Sequence, residues 1–347
     1  MTPAAPLAAI FGMAGLTLSQ GERAFFAAVR PLGYILFARN IETPDQVTDL
    51  VNDLRSLDPG FQPLVLIDQE GGRVQRLKPP YWRHGPTMAE FGALHARNPV
   101  SCGAALRLNM QMIGDELKAL GIDVDCAPVM DVPVPGAHDV IGDRAFGGDP
   151  GLVAALAPIA CEGLIDAGVV PVVKHIPGHG RAACDSHKEL PVVTADLETL
   201  RAMDFAPFKA LCTTPLQHFC FAMTAHVVYR AIDPHQPATT SKAVISDIIR
   251  GEIGFEGLLM SDDLGMQALS GPFDARAAAA LDAGCDVVLH CGGQMNDMAA
   301  VAKGAGPLGA NGLKALAASA AVRGKARRPP APAAAAHVQV LNTLRHG

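Results

Sequence analysis

Residues 174–191, KHIPGHGRAACDSHKELP, place three histidines, two lysines and an aspartate close together in the chain. Such side chains bind metals, transfer protons or bind polar ligands. Pro177 and Gly178 interrupt any helix between His175 and His179, so this pair cannot form the i, i+4 ligand pair of a helical zinc site. Lys174 would also repel a cation. These features argue against a metal site and leave a catalytic loop or a polar turn.

Polar residues also end several apolar runs elsewhere in the chain. They are Asp68 after PLVLI, Asp131 after CAPVM, His226 after FAMTA, and Asp262 and Asp263 after GLLMS. A single residue in such a position is more often a cap or a buried, hydrogen-bonded group than a functional one. Several at the carboxyl ends of successive parallel strands indicate an active site, because these ends meet on one face of a barrel.

The apolar runs predict eight strands, and stretches with helical spacing separate most of them. One helix is predicted over residues 44–56, with Thr43 as N-cap and Pro44 in the first turn, and another over 102–120, which Gly121 ends. Further helices are expected after Asp149, Asp196, Thr240 and Phe273. The predicted strands span residues 8–15, 33–38, 63–68, 123–132, 171–175, 221–227, 257–263 and 286–291.

Apolar strands that alternate with helices form parallel sheets buried on both faces. Eight such units predict an α/β fold built as a single (β/α)8 TIM barrel. A doubly wound sheet is the alternative, but no GxGxxG pattern follows the first strand. We expect residues 1–322 to form one catalytic domain, with a helix near 311–322. Residues 323–347, rich in Ala, Pro and Arg, are predicted to form a mobile tail.

Composition limits the partners and the compartment. Of the 347 residues, 49% are hydrophobic, and the net charge is −6 with no basic block in the first 320 residues. This argues against nucleic acid or an anionic membrane as partner and leaves a small molecule. The eight cysteines form no CxxC pair, as in reduced proteins. No basic N-terminal region and no uninterrupted apolar stretch of roughly 18 residues is present, so we expect a cytoplasmic protein that is neither exported nor membrane-anchored.

Longer motifs carry a family resemblance. In order, they are IDQEGGRVQRL (67–77), IGDRAFG (141–147), KHIPGHG with DSH (174–187), MTAHVVY (223–229) and GFEGLLMSDDLGM (254–266). Together they resemble family 3 of the glycoside hydrolases, in particular its bacterial β-N-acetylglucosaminidases of peptidoglycan recycling. The resemblance implies a TIM barrel that removes non-reducing N-acetylglucosamine from 1,6-anhydro-N-acetylmuramic acid and its peptide-bearing forms. It implies no cofactor and no metal, and we expect a monomer.

The same resemblance assigns roles to residues. Retaining glycosidases need a carboxylate that forms a covalent glycosyl-enzyme and a group that protonates the leaving oxygen. By the family pattern the nucleophile is Asp262, with Asp263 as a hydrogen-bonded neighbour. The proton donor is His187, and Asp185 orients its ring. The sugar-binding side chains implied by the family pattern are Asp68, Arg76, Arg144, Lys174 and His175.

Several assignments have alternatives. The aspartate pair of SDD could cap a turn, and Arg76 and Arg144 could be surface or ion-pair arginines. His226 could contact the ligand or support the site as a buried, hydrogen-bonded histidine. A phosphorolytic enzyme, a metal-dependent hydrolase and a non-catalytic sugar-binding barrel are the competing functions. Phosphorolysis competes because a histidine acid/base, unlike a carboxylate, does not repel phosphate.

Two loops are expected near the site. Residues 178–187, GHGRAACDSH, are rich in small side chains, so this loop could bring His187 in after the ligand binds. His179 lies within it, and the sequence does not separate a structural from a catalytic role for this residue. Glu70 is followed by two glycines and is expected to serve a tight turn.

Overall fold

A closed barrel of eight parallel strands forms the centre of the computed structural model, which describes residues 5–325 and 333–346. Each strand pairs with its neighbours in the chain, and the last pairs with the first. This confirms the predicted (β/α)8 TIM barrel and excludes the doubly wound sheet. The strands are β1 (Leu7–Phe11), β2 (Pro31–Leu36), β3 (Leu64–Ile67), β4 (Val124–Asp125), β5 (Val170–Ile176), β6 (Phe221–Thr224), β7 (Leu259–Asp263) and β8 (Val287–His290).

Helices surround the barrel, and local sequence signals start several of them. Thr43 caps the helix that begins at Pro44, as predicted. The helix predicted over 102–120 begins earlier, at Pro99, because Asn98 caps it. The helices are α1 (Gln20–Val29), α2 (Pro44–Ser56), α3 (Met88–Arg97), α4 (Pro99–Ala119), α5 (Pro150–Ala167), α6 (Leu197–Ala202), α7 (Ala206–Cys212), α8 (Val244–Glu252, a π-helix), α9 (Phe273–Ala283), α10 (Met295–Gly304), α11 (Ala310–Arg323) and α12 (Ala333–His346).

The fourth strand is shorter than predicted, and its early end positions a residue of the site. The sequence predicts a strand over 123–132, but β4 pairs with its neighbours only over Val124–Asp125. Pro128 has no N–H with which to continue the ladder. The chain then runs beside the end of β5, where Asp131 accepts the backbone N–H of His175 at 3.1 Å.

Strand side chains alternate between the barrel interior and the layer beneath the helices. In β1, Ala8 and Ile10 belong to the interior cluster, whereas Ala9 and Phe11 pack in the outer layer. Large side chains such as Met260 fill the interior. The barrel is therefore a packed core rather than a pore, and a ligand must bind at its carboxyl end.

Helix α5 has the length and composition of a membrane span but packs as a barrel helix. Its mean hydropathy is 1.4 over 18 residues. Val153 and Leu156 are fully buried, and the helix packs along α4. Arg107 of α4 pairs with Glu162 and Asp166 of α5 at 2.8 and 2.7 Å. The apolar surface of α5 is thus used for packing against α4 and the barrel.

The C-terminal part of the chain differs in one respect from the prediction. Helix α11 covers the helix predicted near 311–322. The sequence predicts a mobile tail over 323–347, but residues 333–346 form α12, which corrects this part of the prediction. Residues 326–332 and Gly347 lie outside the described residues.

Helix α12 packs on α3 and α4 through an apolar stripe. Ala336, Val340 and Leu344 recur every four residues, and Val340 is fully buried. The Arg97 guanidinium of α3 donates to the carbonyl oxygen of Leu344 at 2.7 Å. The stripe follows a segment rich in Ala and Pro, so the composition of this region does not indicate a helix.

Candidate active site

The carboxyl ends of the strands surround a cavity of about 560 Å³. This volume is typical of a small-molecule site. The structure brings together all eight residues predicted for catalysis or ligand binding, although they come from distant parts of the chain. The eight that line the cavity are Asp68, Arg76, Arg144, Lys174, His175, Asp185, His187 and Asp262.

An ion network forms one part of the cavity wall. The ammonium of Lys174, at the end of β5, lies 2.9 Å from Asp68 Oδ1 and 2.6 Å from Glu70 Oε1. Arg76 Nη2 contacts the other oxygen of Asp68 at 3.0 Å. Arg144 binds both oxygens of Glu70, at 2.9 and 2.8 Å. The two predicted site arginines are therefore ion-paired inside the site rather than on the outer surface.

The network keeps its charges at neutral pH. Burial alone would raise the pKa of Asp68, but Lys174 and Arg76 hold it well below its usual range. Burial likewise opposes ionisation of Glu70, yet Arg144 and Lys174 lower its pKa to about 2. Burial disfavours the charged ammonium, but the two carboxylates raise the pKa of Lys174 above its usual value. Three cations against two anions leave one net positive charge in this wall.

His175 is oriented by Asp131, which lies behind the cavity. Asp131 Oδ2 lies 2.7 Å from His175 Nδ1, and its Oδ1 accepts the backbone N–H groups of His175 and His179 at 3.1 and 2.6 Å. Burial acts to raise the pKa of this carboxyl, but the two histidines lower it to about 2. An ionised Asp131 fixes the hydrogen on Nδ1, so Nε2 is the nitrogen that His175 can offer to a ligand.

Asp262 lies one residue before the end of β7 and lines the cavity. Its Oδ1 accepts the backbone N–H of Asp263 at 2.8 Å. Burial would raise its pKa, but His226 and His175 together with that N–H lower it below the usual range. The carboxylate is therefore ionised at neutral pH, which is the form a nucleophile needs.

Asp263 and His226 support this strand end from below. Asp263 Oδ1 accepts the backbone N–H groups of Gly265 and Cys291, both at 2.9 Å. His226 is fully buried, with Nδ1 2.7 Å from Thr239 Oγ1 and Nε2 3.0 Å from the Asp263 carbonyl oxygen. Burial lowers the pKa of its ring. Of the two roles open for His226, the geometry favours buried support.

Asp185 and His187 form a compact pair on the loop after β5. One oxygen of Asp185 lies 2.7 Å from His187 Nδ1 and also accepts the backbone N–H of His187 at 3.0 Å. The His187 side chain is 64% exposed. Because Asp185 engages Nδ1, the Nε2 atom is left for a ligand.

The three histidines of residues 174–191 have three different partners. His175 faces Asp131, His179 faces Ser186 at 3.0 Å, and His187 faces Asp185. Across residues 5–325 and 333–346, no group of three or more His, Cys, Asp or Glu side chains is arranged to hold a metal ion. The clustering of these histidines in the sequence thus reflects three separate hydrogen bonds.

Comparison with known proteins identifies the family of this site. The sequence model of the glycosyl hydrolase family 3 N-terminal domain matches residues 18–315. The chain belongs to glycoside hydrolase family 3. The family resemblance carried by the motifs is therefore confirmed.

Relatives of this family 3 chain have known names and structures. A beta-hexosaminidase of Alkalilimnicola ehrlichii is 42% identical over 287 residues, which cover 81% of this chain and 80% of that protein. Native NagZ from Neisseria gonorrhoeae has a TM-score of 0.85 at 30% identity, covering 98% of both chains. Its complex with N-trifluoroacetyl-D-glucosamine gives 0.86 at 30% identity, covering 98% and 99%. This family 3 protein is thus a glycoside hydrolase with β-N-acetylhexosaminidase activity.

Sequence reasoning misses two residues of the family 3 site. The turn expected at Glu70 is present, with positive φ at both following glycines, but Glu70 also bridges Lys174 and Arg144. A signal was available, because residues two apart in extended chain point the same way, which places Glu70 beside Asp68. Asp131 is visible as a polar strand end, but no local pattern reveals that it binds the β5 histidine.

Proposed function

We propose that the protein is a retaining exo-β-N-acetylglucosaminidase of peptidoglycan recycling. It removes non-reducing N-acetylglucosamine from 1,6-anhydro-N-acetylmuramic acid and its peptide-bearing forms, in the cytoplasm, as a monomer and without a cofactor. One observation carries the proposal. An ionised carboxylate, Asp262, lines the same cavity as the solvent-accessible Asp185–His187 pair. A retaining glycosidase needs a nucleophile and an acid/base, and these residues supply both.

In the first step, Asp262 attacks the anomeric carbon. The bond from that carbon to the leaving oxygen breaks, and its electron pair goes to the oxygen, which takes the Nε2 proton of the His187 imidazolium. The Nδ1 hydrogen stays on His187 throughout; Asp185 accepts a hydrogen bond from it and stabilises the cation that gives up the Nε2 proton. The products are the free muramyl sugar and a glycosyl ester of Asp262.

In the second step, the neutral His187 takes a proton from water through Nε2 as the water oxygen attacks the anomeric carbon. The ester bond breaks, and its electron pair returns to Asp262 as carboxylate. Two inversions at one carbon give overall retention. The exposure of His187 suits this step, since water must reach the ring and the muramyl product must leave.

The ion network suits a terminal sugar. Lys174, Arg76 and Arg144 supply donors to hydroxyl groups, while Asp68 and His175 Nε2 supply acceptors. The cations hold these groups in place before the sugar arrives, so little ordering entropy is lost on binding. The gonococcal relative whose structure holds N-trifluoroacetyl-D-glucosamine supports a sugar of this class.

The proposal is tested by trapping the covalent intermediate. With a slow, fluorinated N-acetylglucosaminide, mass spectrometry should find the sugar on the peptide that contains Asp262, and the Asp262→Ala variant should remain unlabelled. Label on the peptide that contains Asp185 would reverse the assignment of nucleophile and acid/base.

Phosphorolysis is the second candidate, because the net positive wall and a histidine acid/base would accept phosphate. Turnover in phosphate buffer distinguishes the two. Free N-acetylglucosamine as the product supports hydrolysis, whereas N-acetylglucosamine 1-phosphate would show phosphorolysis. Unchanged activity after treatment with a chelator would remove the metal-dependent alternative.

A further inference from the structure

His179 connects the two parts of the site. Its backbone N–H donates to Asp131 Oδ1, the same atom that accepts the N–H of His175. Its ring Nε2 lies 3.0 Å from Ser186 Oγ. His179 and Ser186 are only 2% and 3% exposed. A single buried residue thus joins the sugar-binding end of β5 to the middle of the Asp185–His187 segment.

Ser186 stands between the two members of the acid/base pair, so whatever holds Ser186 also places its neighbours. The segment accepts two further hydrogen bonds from the loop after β7. They run from the N–H of Ala268 to the Ser186 carbonyl at 3.3 Å and from the N–H of Gln267 to the His187 carbonyl at 3.4 Å. The His179–Ser186 contact is the shortest of the three, and it ties the segment to β5.

The chemistry of the His179 ring points to positioning rather than proton transfer. Burial, and then the neighbouring His175, lower its pKa to about 4, so the ring is neutral at neutral pH. Among the described residues, its buried Nδ1 has no hydrogen-bond partner. A buried N–H without a partner is rarer than an unpaired acceptor, so we assign the ring hydrogen to Nε2, where it is donated to Ser186. That proton is engaged and is not offered to a substrate.

We propose that His179 is a positioning residue for acid/base catalysis. Its ring holds Ser186, and through Ser186 it fixes the place of Asp185 and His187 relative to Asp262. The inference rests on the proposed role of His187 as the acid/base. A misplacement of about 1 Å can cost on the order of 10²-fold in rate, so one hydrogen bond can matter here.

The test compares His179→Leu, His179→Gln and Ser186→Ala on aryl N-acetylglucosaminides of graded leaving-group pKa. The Leu and Ala variants should lose roughly 10- to 100-fold in kcat/KM on the poorest leaving groups and less than about 3-fold on 4-nitrophenolate, whose departure needs little protonation. His179→Gln keeps an amide donor near the Nε2 position and should recover most of the loss. Ser56→Ala, an exposed serine of α2, is the matched control and should show no loss.

A second measurement separates positioning from sugar binding. The inhibition constant of free N-acetylglucosamine should change less than about 3-fold in all three variants, because Asp131 still orients His175. In the His187→Ala background, His179→Leu should add no further dependence on leaving group, since the proton donor is already absent.

The outcomes distinguish this inference from the proposed function. In one outcome, the loss in His187→Ala depends steeply on the leaving group, but His179→Leu and Ser186→Ala lose activity equally on every substrate. This outcome would overturn the positioning role of His179 and leave the acid/base role of His187 in place. A flat dependence for His187→Ala would overturn the acid/base assignment and this inference with it. If His179→Leu fails to fold, Ser186→Ala decides the question, because it removes only one hydroxyl from a loop.

Discussion

Lys174 and His187 line the same cavity but are held in contrasting ways. The Lys174 side chain is 2% exposed and lies 2.9 and 2.6 Å from two carboxylates, whereas the His187 side chain is 64% exposed and lies 2.7 Å from one. The residues around them form two walls of the cavity. The strand wall consists of Asp68, Glu70, Arg76, Arg144 and Lys174, and the loop wall consists of Asp185, Ser186 and His187.

The difference between the two walls corresponds to two roles, sugar binding and proton transfer. Buried charges that neutralise one another have one favourable arrangement, so the strand wall is organised before the sugar binds. Removing one partner takes a charged contact away from the remaining groups in a desolvated place, which is costly. The loop wall contains one ion pair, Asp185–His187, and its exposed ring can exchange protons with water. We therefore expect changes in the strand wall to reduce stability and sugar binding together, and changes in the loop wall to affect mainly proton transfer.

The largest effect is expected at Asp262, the proposed nucleophile, which lines the same cavity as both walls. Asp262→Ala should reduce turnover by at least about 10⁴-fold, because no other group can form the glycosyl ester. The fold should be retained, as judged by circular dichroism and thermal unfolding. Asp263→Asn is the matched control and should lose far less, since the Asp263 carboxylate accepts the backbone N–H groups of Gly265 and Cys291. Near-normal turnover of Asp262→Ala would remove Asp262 from its role.

Lys174→Met should show how strongly the strand wall depends on each charge. With the ammonium gone, Asp68 and Glu70 lose a common cation in a buried place, and the free energy of unfolding should fall by about 3–5 kcal/mol. KM should rise as well. The same substitution at the exposed Lys188, next to the loop wall, should change stability by less than about 0.5 kcal/mol. Denaturant titration of both variants checks this, and equal losses would contradict the comparison.

Acid should weaken the strand wall through Glu70. Its folded pKa of about 2 is below its ordinary value of 4.5, so the ion pairs contribute fully above pH 4.5. That contribution is lost as the pH falls from 4.5 towards 2, and it amounts to roughly 3 kcal/mol for a shift of this size. Glu70→Gln should flatten the fall in unfolding free energy across this window. Asp185→Asn in the loop wall should flatten it much less, because solvent screens that pair. Equal flattening would contradict the division.

The smallest effect is expected at α12, which lies on the helical shell and contributes to neither wall. Val340→Ala should reduce the free energy of unfolding by about 1–2 kcal/mol, because Val340 is fully buried. Val338→Ala on the exposed face should cost less than about 0.5 kcal/mol. The activity of folded protein should be unchanged in both. Equal costs in thermal unfolding would show that α12 does not dock as described.

Much of the fold could be predicted because its signals are local. Thr43 before Pro44 starts a helix whatever lies around it, and the apolar runs must be buried on both faces. The early end of β4 is explained by Pro128, a local signal that the sequence itself carries. Helix α12 could not be predicted from composition, because its stability comes from packing on α3 and α4.

In the candidate site, too, some features follow from local sequence signals and others depend on contacts between distant segments. The polar residues at strand ends could be found from sequence, because a barrel collects them on one face. The pairing of Asp131 with His175, and of Glu70 with Arg144, depends on contacts between distant segments that no local pattern specifies. The contrast in exposure between Lys174 and His187 likewise follows from how the loop after β5 packs, so it emerges only from the structure.

The most direct test of the proposed mechanism is how the loss of kcat/KM in His187→Ala depends on the leaving group. If His187 protonates the leaving oxygen, the variant should lose about 10²- to 10⁴-fold on the natural muramyl sugar and far less on 4-nitrophenolate. Across a series of aryl N-acetylglucosaminides, log kcat/KM should therefore fall steeply with leaving-group pKa, while thermal stability stays unchanged. Asp185→Ala should follow the same trend more mildly, because it removes only the group that orients the ring. An equal loss on every substrate for His187→Ala would contradict the acid/base role on which the account depends.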